Sequence, residues 1–149
     1  MLFDANLLFS SAQNVTATAA STNYWDSQGA ALGTPPGAYS ALTKDLGKGQ
    51  ELPLRVQIVT AMDTLTSLKV AWQGDSDSAF GTVVTILETE AIALASLVSG
   101  YVFNIQRVPL KSTYRYYRLY YTVAGSNNVS GTITAGIVSA THTNYTNAA

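Results

Sequence analysis

Apolar and polar residues alternate along most of this chain, and Gly, Asp, Asn and Pro break the alternation at short intervals. A period of two predicts strands, because successive side chains of a strand point to opposite faces. Strands are expected over 14–22 and 23–27 as a first strand or pair, then over 53–62, 67–74, 82–88, 101–108, 114–123 and 131–141. Val, Ile, Thr and Tyr dominate these runs, and branched and aromatic side chains suit a pleated, half-buried surface. In 53–62, Leu54, Val56, Ile58 and Thr60 share one face, with Arg55, Gln57 and Val59 on the other. In 101–107, Tyr101, Phe103 and Ile105 oppose Val102, Asn104 and Gln106. In 114–123, Tyr117, Leu119, Tyr121 and Val123 form the more apolar side and read as core, which leaves Tyr116, Arg118, Tyr120 and Thr122 facing away from it.

Two stretches depart from this period. Residues 90–100, EAIALASLVSG, place Ile92, Leu94, Leu97 and Val98 at mixed spacing before Gly100 and predict a short helical turn. Residues 28–50, rich in Gly and Pro, carry no sustained period and read as a long loop, functional or mobile rather than neutral filler. Eight or so short strands without recurrent long helices predict an all-β antiparallel sandwich or jelly roll, not a βαβ fold.

The chain's 149 residues suit one domain with a core of its own. Cysteine is absent, so disulfides, thiolate metal sites and a cysteine nucleophile are excluded. Charged residues are only 11% of the chain, which makes much of the surface neutral and hydroxyl-bearing or covered by partners. A net charge of -1 argues against nucleic acid as a partner. The charge is uneven, since residues 91–149 hold Arg107, Lys111, Arg115 and Arg118 and no acid. The start, MLFDANLLFSSAQ, has neither the basic nor the continuous apolar region of a secretory signal, and no apolar run approaches the roughly 20 residues of a membrane span. The expectation is a protein made in a cytoplasm that does not bind membranes. The glycosylation patterns at Asn14, Asn128 and Asn144 then read as chance matches.

No constellation for catalysis, metal or cofactor emerges, and none is expected. The one histidine, His142, lies near the C-terminus, with neither a nucleophile elbow nor a phosphate loop in the chain. Asp75 and Asp77 in GDSDS lack the other oxygen ligands of a calcium loop and read as turn carboxylates that accept backbone amides. Glu88 and Glu90 read as an exposed strand edge rather than a glycosidase pair.

Two features bear on binding. The arm, residues 1–13, carries Leu2, Phe3, Leu7, Leu8 and Phe9, too many large apolar groups for a solvated tail. It must pack on its own sandwich or on a neighbour. Tyr116, Arg118 and Tyr120 combine residue types favoured at protein interfaces, and the same set would also stack on sugar rings or simply cover an open sheet. From spacing alone, an interface stands modestly ahead.

The segments LFDANLLFSSAQNVTATAASTN (2–23), WQGDSDSAFGT (72–82) and SGYVFNIQRVPLKSTYRYYRLYYTVAGSNNVSGTITAGIV (99–138) resemble the small capsid cement, or decoration, proteins of tailed bacteriophages. The shared pattern is an apolar arm leading into a strand, the run R-Y-x-R-L-x-Y-T-V-x-G at Arg115 to Gly125, and G-x-x-T-A-G-I-V at Gly131 to Val138. The chain departs from it in the 28–50 insertion and in the tyrosines at 114, 117 and 120. The resemblance implies a jelly-roll β-sandwich, residues 14–149, whose homotrimers sit on the capsid exterior and clamp the major capsid protein. It also implies a buried Phe80. On this reading the arm residues Leu2, Phe3, Leu7, Leu8 and Phe9 dock the protein, and deleting residues 1–9 weakens attachment while the sandwich stays folded. Tyr116, Arg118 and Tyr120 make the subunit or shell contact. The competing expectation is a carbohydrate- or receptor-binding sandwich that uses Trp25, Trp72 and the outward tyrosines as a stacking platform.

Overall fold

The computed structural model describes residues 5–28, 51–111 and 113–139. Leu2, Phe3, His142, Asn144 and nearly all of the 28–50 loop lie outside the described residues. Within them the strands are β1 (Leu8–Asn14), β2 (Ala19–Ala20), β3 (Trp25–Asp26), β4 (Glu51–Thr60), β5 (Leu65–Asp75), β6 (Val84–Glu88), β7 (Ile92–Ala93), β8 (Arg107–Pro109), β9 (Tyr116–Gly125) and β10 (Thr132–Ile137). Short 3-10 turns form at Ala5–Leu7 and Leu94–Ser96.

The strands make two antiparallel sheets that pack as a sandwich. One is four-stranded in the order β1-β10-β4-β8; the other, six-stranded, runs β2-β9-β5-β6, with β3 also on β9 and β7 also on β5. The long β5–β9 pair, in register from Ser67↔Ala124 to Asp75↔Tyr116, is the spine of the second sheet. Because residues directly opposite share a face, this register puts Val70, Trp72 and their partners Tyr121 and Leu119 inward, and Ala71, Gln73 and Asp75 outward with Tyr120, Arg118 and Tyr116.

The core fills the space between the sheets as the alternation requires. Leu54, Val56 and Ile58 of β4 and Ile133, Ala135 and Ile137 of β10 meet Leu68, Val70, Trp72, Tyr117, Leu119 and Tyr121, all buried. Its centre is aromatic. Tyr117 stacks on Trp72 with ring centroids 5.3 Å apart and packs on Trp25 at 5.8 Å, while Phe9 meets Trp72 edge-on at 5.3 Å. The Tyr117 hydroxyl donates to the carbonyl of Lys111 at 2.6 Å. Tyr114 lies over Gly74, where a Cβ would stand 2.8 Å from its ring, so glycine is the residue that allows this approach. The tyrosines at 114 and 117 are therefore structural.

A buried polar chain joins the two sheets. The Tyr121 hydroxyl bonds to Ser10 Oγ at 2.8 Å, Ser10 Oγ bonds to Gln13 Oε1 at 2.6 Å, and Gln13 Nε2 donates to the carbonyl of Ala20 at 2.8 Å. Burial pushes the Tyr121 phenol well above its ordinary pKa, so it stays a neutral hydrogen-bonding group.

Several boundaries differ from the sequence reading. The first strand is Leu8–Asn14, almost wholly within the segment read as an arm, and beyond Asn14 only Ala19–Ala20 of 14–22 is strand. Phe9 wedges between the sheets at 1% exposure and pulls the chain into pairing with β10. Of the arm residues, Leu7 packs partly buried against this chain's own core and Phe9 lies within it, so deleting residues 1–9 is expected to cost stability as well as any attachment. Residues 101–106 follow β4 through single hydrogen bonds, such as Phe103 N–H to Val56 O at 3.0 Å and Leu54 N–H to Gln106 O at 2.9 Å, rather than through a ladder. Phe103 and Ile105 are nevertheless buried, as their alternation required. The 90–100 stretch splits into β7 and a single 3-10 turn that buries Leu97 and exposes Val98.

Candidate functional site

The outward face of β9 is a set of rings and guanidinium groups held by side chains from three other segments. Arg118 donates from Nε to Gln73 Oε1 at 2.9 Å across the β5–β9 pair. Gln73 is in turn steadied by Thr85 of β6, Nε2 to Oγ1 at 3.4 Å. The Arg118 guanidinium lies 4.3 Å from the centroid of the Phe80 ring and 5.4 Å from that of Tyr120. Tyr24, just before β3, meets both Phe80 and Tyr116 edge-on, each at 5.8 Å. Arg115 stands over Tyr116 at 5.0 Å and grips Asp26 with two hydrogen bonds, Nε to Oδ1 at 2.7 Å and Nη2 to Oδ2 at 2.8 Å. This pairing raises the Arg115 pKa further.

The loop 76–83 lies across the end of this face, and Asp75 ties it down. Asp75 is 1% exposed, and its carboxylate accepts the Asp77 amide at 3.1 Å, the Thr82 amide at 2.9 Å and the Thr82 hydroxyl at 3.1 Å. Asp77 accepts the amide of Ala79 at 3.1 Å. These carboxylates serve as turn anchors, the role expected of them. Inside the loop Phe80 takes a left-handed backbone conformation, φ 53°, which costs a non-glycine residue about 1–2 kcal/mol. The loop held by Asp75 sustains that conformation and turns the ring back over the sheet.

Burial pushes the Asp75 pKa up, and the amides of Asp77 and Thr82 outweigh it, so the net shift is downward from the ordinary 3.8. A carboxylate depressed on folding stabilises the fold above its ordinary pKa, and that contribution is lost as pH falls through the lowered folded value. Asp63, depressed by amide hydrogen bonds led by that of Val129, behaves alike. The expected result is a melting temperature that falls as the pH drops below about 4. An Asp75→Asn variant should melt lower at neutral pH and lose less on acidification. Scanning calorimetry of both proteins across this range checks it.

The structure places Tyr116, Arg118 and Tyr120 side by side, half-buried and outward. Leu7 and Phe9 pack on this chain's own core, while Leu8 is half-buried and lines a pocket with Thr22, Asn23 and Tyr24. Trp25 and Trp72 are 3% and 0% exposed, so the stacking platform expected of them does not exist. Phe80 is half-buried on the outer face rather than in the core. Sequence reasoning missed Tyr24, Gln73 and Phe80 as members of the face. Tyr24 and Gln73 each neighbour a tryptophan in a strand, and the side they take follows once that tryptophan is known to be buried. Glu88 sits at the exposed edge as expected and pairs with Lys69 at 3.2 Å.

Residues 9–141 match the family described as Bbp16, a span from Phe9 of β1 through the whole of β10. No curated protein matches the chain.

Proposed function

The chain belongs to the Bbp16 family, a phage-related one, and from that premise we propose that it is a capsid cement, or decoration, protein. It acts without catalysis or a cofactor. Its sandwich, a jelly roll in this reading, assembles as a homotrimer on the outside of an icosahedral head, where it binds the major capsid protein and holds neighbouring copies together. The observation that carries the reading is the outward face of β9. It is a broad surface of Tyr24, Phe80, Tyr116, Arg118 and Tyr120, fixed by ring contacts and by Gln73. Large rings and arginine are what protein interfaces concentrate at their centres, and a pre-set surface loses little side-chain freedom on docking. Many copies on one shell convert a modest single contact into firm attachment.

Co-sedimentation of the full chain with shells of the major capsid protein encoded in the same genome tests this. Binding is expected in fixed proportion to shell subunits, with a higher shell disruption temperature. A protein that stays in the supernatant with matured shells overturns the reading. Saturable glycan binding abolished by Tyr120→Ala would then favour a sugar-binding sandwich.

A further inference from the structure

The two arginines of this face differ in what they still have to offer. Arg115 has its side-on edge filled by Asp26. Among the described residues Arg118 bonds only through Nε, to Gln73, and no carboxylate pairs with it. Asp75, on the same face, is committed to the amides and hydroxyl of its own loop. Arg118 is also held in place, with one edge on Gln73 and its plane against Phe80 at 4.3 Å. What remains without a partner among the described residues is the end-on fork of Nη1 and Nη2, on a guanidinium that lies beside the rings of Phe80 and Tyr120. A planar guanidinium fixed in this way matches the two oxygens of a carboxylate, and aromatic surroundings that keep water off strengthen the pair.

Resting on the cement reading, we propose that the shell element docked on this face carries an Asp or Glu side chain, whose carboxylate the Arg118 fork receives end-on beside Phe80 and Tyr120. The acid-free stretch after residue 91 supplies no competing carboxylate near this fork in sequence. Charge complementarity therefore selects an acidic partner segment over a basic or neutral one.

The test has two independent arms. In the first, acetate is titrated into the protein alone while the arginine Nε–H signals are followed by NMR. The Arg118 signal should shift saturably and that of Arg115 should not. No response from Arg118, or a far tighter response to inorganic phosphate than to acetate, overturns the assignment to a carboxylate. In the second, the protein is sedimented with shells before and after their carboxylates are converted to neutral amides. Amidation should weaken binding about 10- to 100-fold, and so should Arg118→Gln on untreated shells. Arg118→Lys, which keeps the charge and loses the fork, should recover only part of the loss. Equal binding to amidated and untreated shells overturns the inference and leaves the cement reading standing. Failure to bind untreated shells while acetate still titrates Arg118 removes the cement reading and keeps the carboxylate site. Near-ultraviolet circular dichroism of each variant separates lost binding from lost folding.

Discussion

Replacing Trp72 by alanine is expected to destabilise the protein by about 3–5 kcal/mol, the usual range for a large aromatic removed from a close-packed core. Trp72 is 0% exposed, stacks on Tyr117 at 13° between planes and takes the edge of Phe9. Its indole N–H donates to the carbonyl of Pro109 at 3.2 Å, which ties the strand before β9 to the middle of β5. Alanine leaves a cavity at the crossing of both sheets and strands that carbonyl. On a domain of this size the melting temperature should fall by about 10–20 °C. Urea midpoints of wild type, Trp72→Ala and Tyr120→Ala make the comparison, with Tyr120→Ala expected within about 1 kcal/mol of wild type because its ring lies on the outer face. The same pair of variants divides the stacking-platform reading from the interior one. Were Trp72 a ligand platform, its loss would leave the midpoint unmoved.

Asn128→Ala is the second large loss, about 2–4 kcal/mol, although the residue sits in a loop and matches a glycosylation pattern. Its side chain is 2% exposed and fully engaged. The carboxamide oxygen accepts the amide of Asp63 at 2.9 Å, and Nδ2 donates to the carbonyls of Val15, at 3.2 Å, and Ser130. Asp63 answers from the other side, accepting the amides of Val129 and Ser130, each at 2.9 Å. Three chain segments are thus clasped by one amide, and alanine frees all three and leaves the carbonyl of the fully buried Val15 unpaired. Asn128→Asp should be at least as damaging, because both carbonyls would then face a carboxylate. Chemical denaturation of each variant reads the loss, and an unmodified Asn128 in protein passed through a glycosylating secretory pathway would agree with its burial.

Much of the fold could be read in advance wherever one face of a strand is buried and the other is not. Leu54, Val56 and Ile58, and Tyr117, Leu119 and Tyr121, fall inward as their alternation required, since a slip of one residue would expose all of them. Tryptophan was misread because its ring serves a core and a binding surface equally well and only neighbours decide. Trp72 has Leu119 across from it on an inward register position, a fact that spacing within 67–74 does not contain. The strand ends at 14–22 and 101–108 were misplaced for a related reason. What orders those residues is hydrogen bonding to distant segments, Gly131 for Val15 and Val56 for Phe103, and local propensity does not report it. The candidate face was half legible: β9 announced Tyr116, Arg118 and Tyr120, while Phe80 depends on a turn whose left-handed residue is no glycine.

The four-stranded sheet has a consequence for how the chain is made. β4 is complete by Thr60, yet both of its neighbours, β8 and β10, begin only at Arg107 and Thr132, and β1 waits for the same last strand. A ribosome that has released the first half of this sequence has therefore released both of its strands of this sheet, β1 and β4, without the described strands they pair with. Sheets closed by such distant partners assemble slowly, and this one only once β10 has been made. Leu52, Leu54, Val56 and Ile58 must stay clear of other nascent chains until then, so yield in the producing cell should depend on translation rate and growth temperature more steeply than the stability of the finished sandwich suggests.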